Sequence, residues 1–81
     1  MNEKEKIKEF IVNEIINCNK FKRNINKQEE CIKKICNLIN PEFGKSAKFD
    51  IYEKIISFAI CVGPNDILIL KFEKETLKLI E

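Results

Sequence analysis

Apolar and polar or small positions alternate most clearly over residues 55–72, IISFAICVGPNDILILKF. Ile56, Phe58, Ile60 and Val62 share one face of an extended chain, and Ile55, Ser57, Ala59 and Cys61 share the other. Leu68, Leu70 and Phe72 then oppose Ile67, Ile69 and Lys71. Side chains of a strand alternate with a period of two, so a one-residue slip would turn the apolar set outward. The pattern predicts a β-hairpin. Its large-residue faces match when Val62 sits opposite Leu68, Ile60 opposite Leu70 and Phe58 opposite Phe72. That register leaves Pro64, Asn65 and Asp66 at the tip, where proline presets φ and Asn and Asp tolerate unusual geometry. The small or polar second face predicts a sheet covered on one side only.

Before residue 40 the period is that of a helix. Ile7, Phe10, Ile11, Ile15 and Cys18 predict a helix over residues 3 to about 20, with Glu3 and Glu5 suiting its positive end. Residues 19–26, NKFKRNIN, read as the connection, with Asn26 capping a second helix and Glu29 reaching back to the cap. Cys31, Ile32, Ile35, Cys36, Leu38 and Ile39 form that helix's apolar arc, and Pro41 is expected to stop it at Asn40. A loop is expected over 40–47. Residues 48–54 then alternate Phe49 and Ile51 against Asp50, Tyr52 and Lys54, as an edge strand would. Ser46 could instead cap a helix ending at Gly63-Pro64, but the β-branched run from Ile55 favours strands. Glu53-Lys54 is poor chemistry for the tight turn this requires. Residues 73–75 predict a turn. Leu77 and Leu79 predict a short last strand, or else a C-terminal helical turn.

The fold expected is therefore α+β: two N-terminal antiparallel helices on one face of a three- to four-stranded antiparallel sheet, in the order ααβββ. Residues 1–81 form a single domain in this reading, and the core is expected to hold Ile11, Ile15, Ile32, Ile35, Ile39, Phe58, Ile60, Leu68, Leu70 and Phe72. With 44% hydrophobic and 35% charged residues the chain is globular in composition. A chain this short builds a small core, which a homodimer formed by edge-strand pairing would supplement. No apolar run reaches the ~18–20 residues of a membrane span, and MNEKEKIKEF has no apolar signal region. A cytoplasmic location without membrane attachment is the expectation. It makes the four cysteines, at 18, 31, 36 and 61, free thiols packed as small apolar residues.

Candidate chemistry is sparse. Phe43-Gly44-Lys45-Ser46 resembles the end of a phosphate-binding loop, but the glycine needed five positions before Gly44 is Ile39. Cys31 and Cys36 stand about 500° apart around a helix and there is no histidine, which argues against zinc. Without histidine the usual base for a Ser or Cys nucleophile is missing. Glu14 is the one carboxylate placed for partial burial; Glu29-Glu30 and Glu73 with Glu75 fall on polar faces or turns, where charge is solvated. No catalytic site, cofactor or metal is expected.

Net charge is only +2, yet Lys20, Lys22, Arg23 and Lys27 fall within eight residues without an acid. With Phe21 among them they are the best candidate contact for a partner. The competing view is a solvated loop with Phe21 turned inward. The functional expectation is a small non-catalytic interaction protein, an inhibitor or adaptor of the phage or mobile-element kind. It would bind a larger protein or nucleoprotein through this loop and an exposed sheet edge. The alternative is a nucleic-acid-binding protein using the same basic residues on phosphates and Phe21 on a base.

Overall fold

Ile7, Ile11 and Ile15 recur every fourth residue, and all three are fully buried on one side of α1 (Glu3–Ile15). The side chain of Asn2 accepts from the Glu5 amide at 2.9 Å and starts the helix. This is a computed structural model of the chain and describes residues 2–21 and 23–80. The helix expected to about residue 20 tightens at Ile16 into a 3₁₀ segment, Ile16–Phe21. Three residues per turn set Cys18 directly over Ile15, on the buried side, and leave Ile16 61% exposed.

The second helix, α2 (Ile25–Phe43), differs from expectation at both ends. Asn24, not Asn26, is the cap: its side chain accepts from the Lys27 amide at 3.1 Å. Both asparagines are competent caps, and the early end of the 3₁₀ segment brings Asn24 into place first. At the other end the helix runs through Pro41 and stops at Gly44, whose amide donates to the Asn40 carbonyl at 2.7 Å. Gly44 has φ of 68°, a left-handed cap that glycine adopts without strain. Pro41 removes one amide near the helix end, and the extra turn brings Phe43 onto Phe10.

Strands β1 (Ser46–Ile51), β2 (Ile55–Gly63) and β3 (Asp66–Glu73) form an antiparallel sheet in the order β1-β2-β3. The strand reading of residues 47–62 holds. The unfavourable Glu53-Lys54 pair does form the β1–β2 turn, closed by the Tyr52 amide on the Ile55 carbonyl at 2.8 Å. A bond from the Lys74 amide to the Lys54 carbonyl, 2.9 Å, braces it from outside.

The β2–β3 register is shifted by two from the expected one. Ile60 pairs with Leu68, Phe58 with Leu70 and Ile56 with Phe72. A bulge between Cys61 and Gly63 takes up Val62, and Gly63 pairs with Asp66 across a tip of Pro64 and Asn65 alone. An unprimed two-residue turn splays its strands, and a bulge beside it restores twist. A shift of two keeps every side chain on its face, which is why the apolar pattern could not reveal it.

Both helices cover the face carrying Ile56, Phe58, Ile60, Leu70 and Phe72, where Phe58 and Phe72 meet edge to face at 5.8 Å. Every residue expected in the core is buried there except Leu68, which is half-buried against it. Ile7, Cys18, Cys36, Ile56 and Leu77 join them. The tail makes a single bridge, Phe72 to Leu79, rather than a fourth strand. Leu77 adopts a left-handed φ of 59° to turn its side chain into the core. That conformation costs about 1–2 kcal/mol, which burial of a leucine offsets.

Candidate functional site

The basic stretch does not form one surface. Phe21, at the end of the 3₁₀ segment, is half-buried, and the exposed Lys20 places its ammonium 5.1 Å from the ring centroid. Phe21 and Lys27 line a notch of about 230 Å³ together with Glu30, Cys31 and Lys34. Arg23 turns instead to a separate cavity of about 540 Å³ lined by Ile25, Glu53, Lys74, Glu75 and Thr76. Lys22 lies outside the described residues. Sequence reasoning missed Lys34, which stands about two helical turns beyond Lys27 and adds a second ammonium to the notch.

The notch sits over the joint between the first helical segment and α2. There Cys18 and Cys31 are joined as a disulfide with their Cα atoms 5.7 Å apart, which corrects the expectation of four free thiols. Cys36 and Cys61 are free, the first buried and the second exposed. Burial pushes the Cys36 thiol up from 9.0 to about 11. Among the described residues no cluster of Cys, Asp and Glu is arranged to hold a metal ion.

On the far side of α2, Ile25 and Glu29 face a groove of about 560 Å³ whose other wall is the end of β1 and its turn, Phe49 to Glu53. At 100° per residue Ile25 and Glu29 are nearly opposite Lys27 and Lys34 on the helix cylinder. Ile25 and Tyr52 are 63% and 58% exposed at this groove. The sheet face turned away from the helices is a third feature. Ile67 and Ile69 of β3 are 58% and 52% exposed there, beside the small side chains of Cys61 and Ala59 that pair with them.

The remaining sequence candidates have structural places. Gly44 caps α2, Ser46 opens β1, and Lys45 pairs with Glu3 at 3.4 Å, so the phosphate-loop resemblance has no loop behind it. Glu14 is half-buried and accepts from the Asn17 side chain at 3.4 Å. Gln28 went unnoticed in the sequence; it is 1% exposed and its Nε2 has no hydrogen-bond partner among the described residues. No helix among the described residues is long and apolar enough to cross a membrane. Comparison with protein-family models, with curated proteins and with solved structures finds no match to this chain.

Proposed function

We propose that this chain is a small non-catalytic interaction protein, an inhibitor or adaptor that docks on a larger macromolecule through its sheet. One observation carries the reading: the sheet is covered on one face, and the other presents Ile67 and Ile69 on an edge strand. The tail covers only the end of that edge, through Glu73 to Lys78 at 2.9 Å and Ile80 to Lys71 at 2.7 Å. Residues 66–70 keep an open edge, which invites pairing with another chain. A homodimer through the same edge is part of the proposal, and sedimentation equilibrium reading a monomer at high concentration removes that part.

The decisive experiment compares the wild-type chain with an Ile67→Lys/Ile69→Lys variant as bait in extracts of the source cells. A protein or nucleoprotein retained by the first and lost with the second supports the reading. Equal retention by both moves the contact elsewhere. A phage or mobile-element origin and a cytoplasmic setting belong to the same proposal. The Cys18–Cys31 bond weighs against the setting, since such bonds are rare where cellular thiols keep proteins reduced. Acid-quenched alkylation of cells tells which form is present.

Nucleic-acid binding is the second reading, favoured by the two ammonium groups of Lys27 and Lys34 beside Phe21. It predicts binding to labelled DNA or RNA that weakens steeply with salt and is lost in Lys27→Glu/Lys34→Glu. Binding that ignores either salt or the variant removes it.

A further inference from the structure

The groove between the start of α2 and the end of β1 has a chemistry unlike the rest of the chain. Its apolar part is Ile25, Phe49, Ile51 and Tyr52, two of them more than half exposed although the groove is concave. Large apolar side chains gathered in an open concavity mark a contact surface. Around them stand Glu29 from α2, Asp50 from β1 and Glu53 from the β1–β2 turn. None of these carboxylates has an ion-pair or hydrogen-bonding side-chain partner among the described residues. Lys74 is the cation that lines the groove with them, and Arg23 with Glu75 lines the adjoining cavity that shares Ile25, Glu53 and Lys74, so the groove keeps a negative excess in a chain whose net charge is +2.

We infer that this groove takes an extended cationic segment of a partner protein, with lysine or arginine side chains alternating with an aliphatic or aromatic one. The inference rests on the reading of the chain as an interaction protein and gives it a second contact. Charge complementarity selects the sign: three unpartnered carboxylates would repel nucleic acid or an acidic peptide and attract ammonium or guanidinium groups. The shape selects an extended segment. β1 pairs with β2 alone, so its outer edge offers backbone groups along the groove, and a strand laid there alternates its side chains between the α2 side, with Ile25 and Glu29, and the open sheet face, with Asp50.

The test is a titration of the isotope-labelled full-length chain, followed by its amide resonances, with the peptide Ac-Lys-Leu-Lys-Phe-Lys-amide. Its acidic counterpart, Ac-Glu-Leu-Glu-Phe-Glu-amide, serves as the control. The cationic peptide is expected to shift the amides of Ile25, Glu29, Tyr52 and Glu53, and the acidic one to leave them in place. In Glu29→Gln/Glu53→Gln, judged folded by its dispersed spectrum, affinity falls about fivefold, as the loss of two exposed charge contacts implies. Lys27→Glu/Lys34→Glu, on the far side of α2, does not weaken it. Absence of shifts at these amides, equal shifts with both peptides, or full affinity in the double Gln variant overturns the inference. That result leaves the sheet-face reading to be decided by the Ile67→Lys/Ile69→Lys variant.

Discussion

Phe10 on α1 meets Phe43 on α2 edge to face, with ring centroids 5.5 Å apart and planes at 80°. The contact exists only because α2 continues for a turn past Asn40. Proline normally ends a helix before itself because of its missing amide and its clash with the preceding turn. Here one bond alone is lost, to the carbonyl of Asn37 on the exposed side of α2, and Gly44 supplies the left-handed cap. Aromatic packing then secures the extra turn.

Phe43→Ala should therefore cost about 1–3 kcal/mol, from the lost ring contact and the partial burial of Phe43. Urea unfolding followed by circular dichroism measures it. A stability equal to wild type would mean that the helix gains nothing by passing Pro41.

The cap assignment at the other end of α2 is as easily tested. Asn24 accepts from the Lys27 amide, whereas Asn26 lies within the first turn and makes no capping contact among the described residues. Asn24→Ala should lower stability by about 1 kcal/mol and Asn26→Ala by a few tenths at most. The reverse order would restore Asn26 as the cap.

These two ends show what the sequence could and could not say. The 3.6-residue and two-residue periods placed both helices and three strands, since burial of one face depends on little else. Ends and registers depend on competition between similar local solutions. Asn24 competes with Asn26, and Gly44 outbids Pro41 as the helix stop. The bulge at Val62 shifts the β2–β3 pairs by two while leaving Phe58, Leu70 and Phe72 on the buried face. Candidate sites were less legible. Lys20, Phe21, Arg23 and Lys27 are neighbours in sequence, but the 3₁₀ ending and the start of α2 send Arg23 and Lys27 to different cavities. The apolar–acidic groove joins residues up to some fifty positions apart, Ile25 to Lys74, and no local pattern announces it.

The cysteines separate by reactivity. Without reductant, iodoacetamide should modify the exposed Cys61 first and the buried Cys36 slowly, leaving Cys18 and Cys31 untouched. After reduction all four become labelled on unfolding. The bond closes a loop with a sequence separation of 13, so its removal should lower stability by about 2–3 kcal/mol. Mass spectrometry of the labelled peptides and urea unfolding with and without reductant check both points. Labelling of four thiols in the native, unreduced chain would remove the cross-link.

Cys36 sets a pH dependence at the alkaline end. Its thiol is raised from 9.0 to about 11 because burial penalises the thiolate. A group held up in the folded state stabilises it fully below the unfolded value, and that contribution is lost as pH rises to the folded one. The window is therefore from about 9 to about 11. Across it the wild-type chain should lose up to roughly 2–3 kcal/mol from this group, at about 1.4 kcal/mol per unit. Cys36→Ala removes the titration. Its stability at neutral pH changes by whatever the smaller side chain costs in packing, but the difference between the two proteins should narrow steadily from pH 9 to 11. Parallel urea curves at several pH values read that difference. A constant gap would mean that Cys36 ionises as easily in the folded protein as in the unfolded chain.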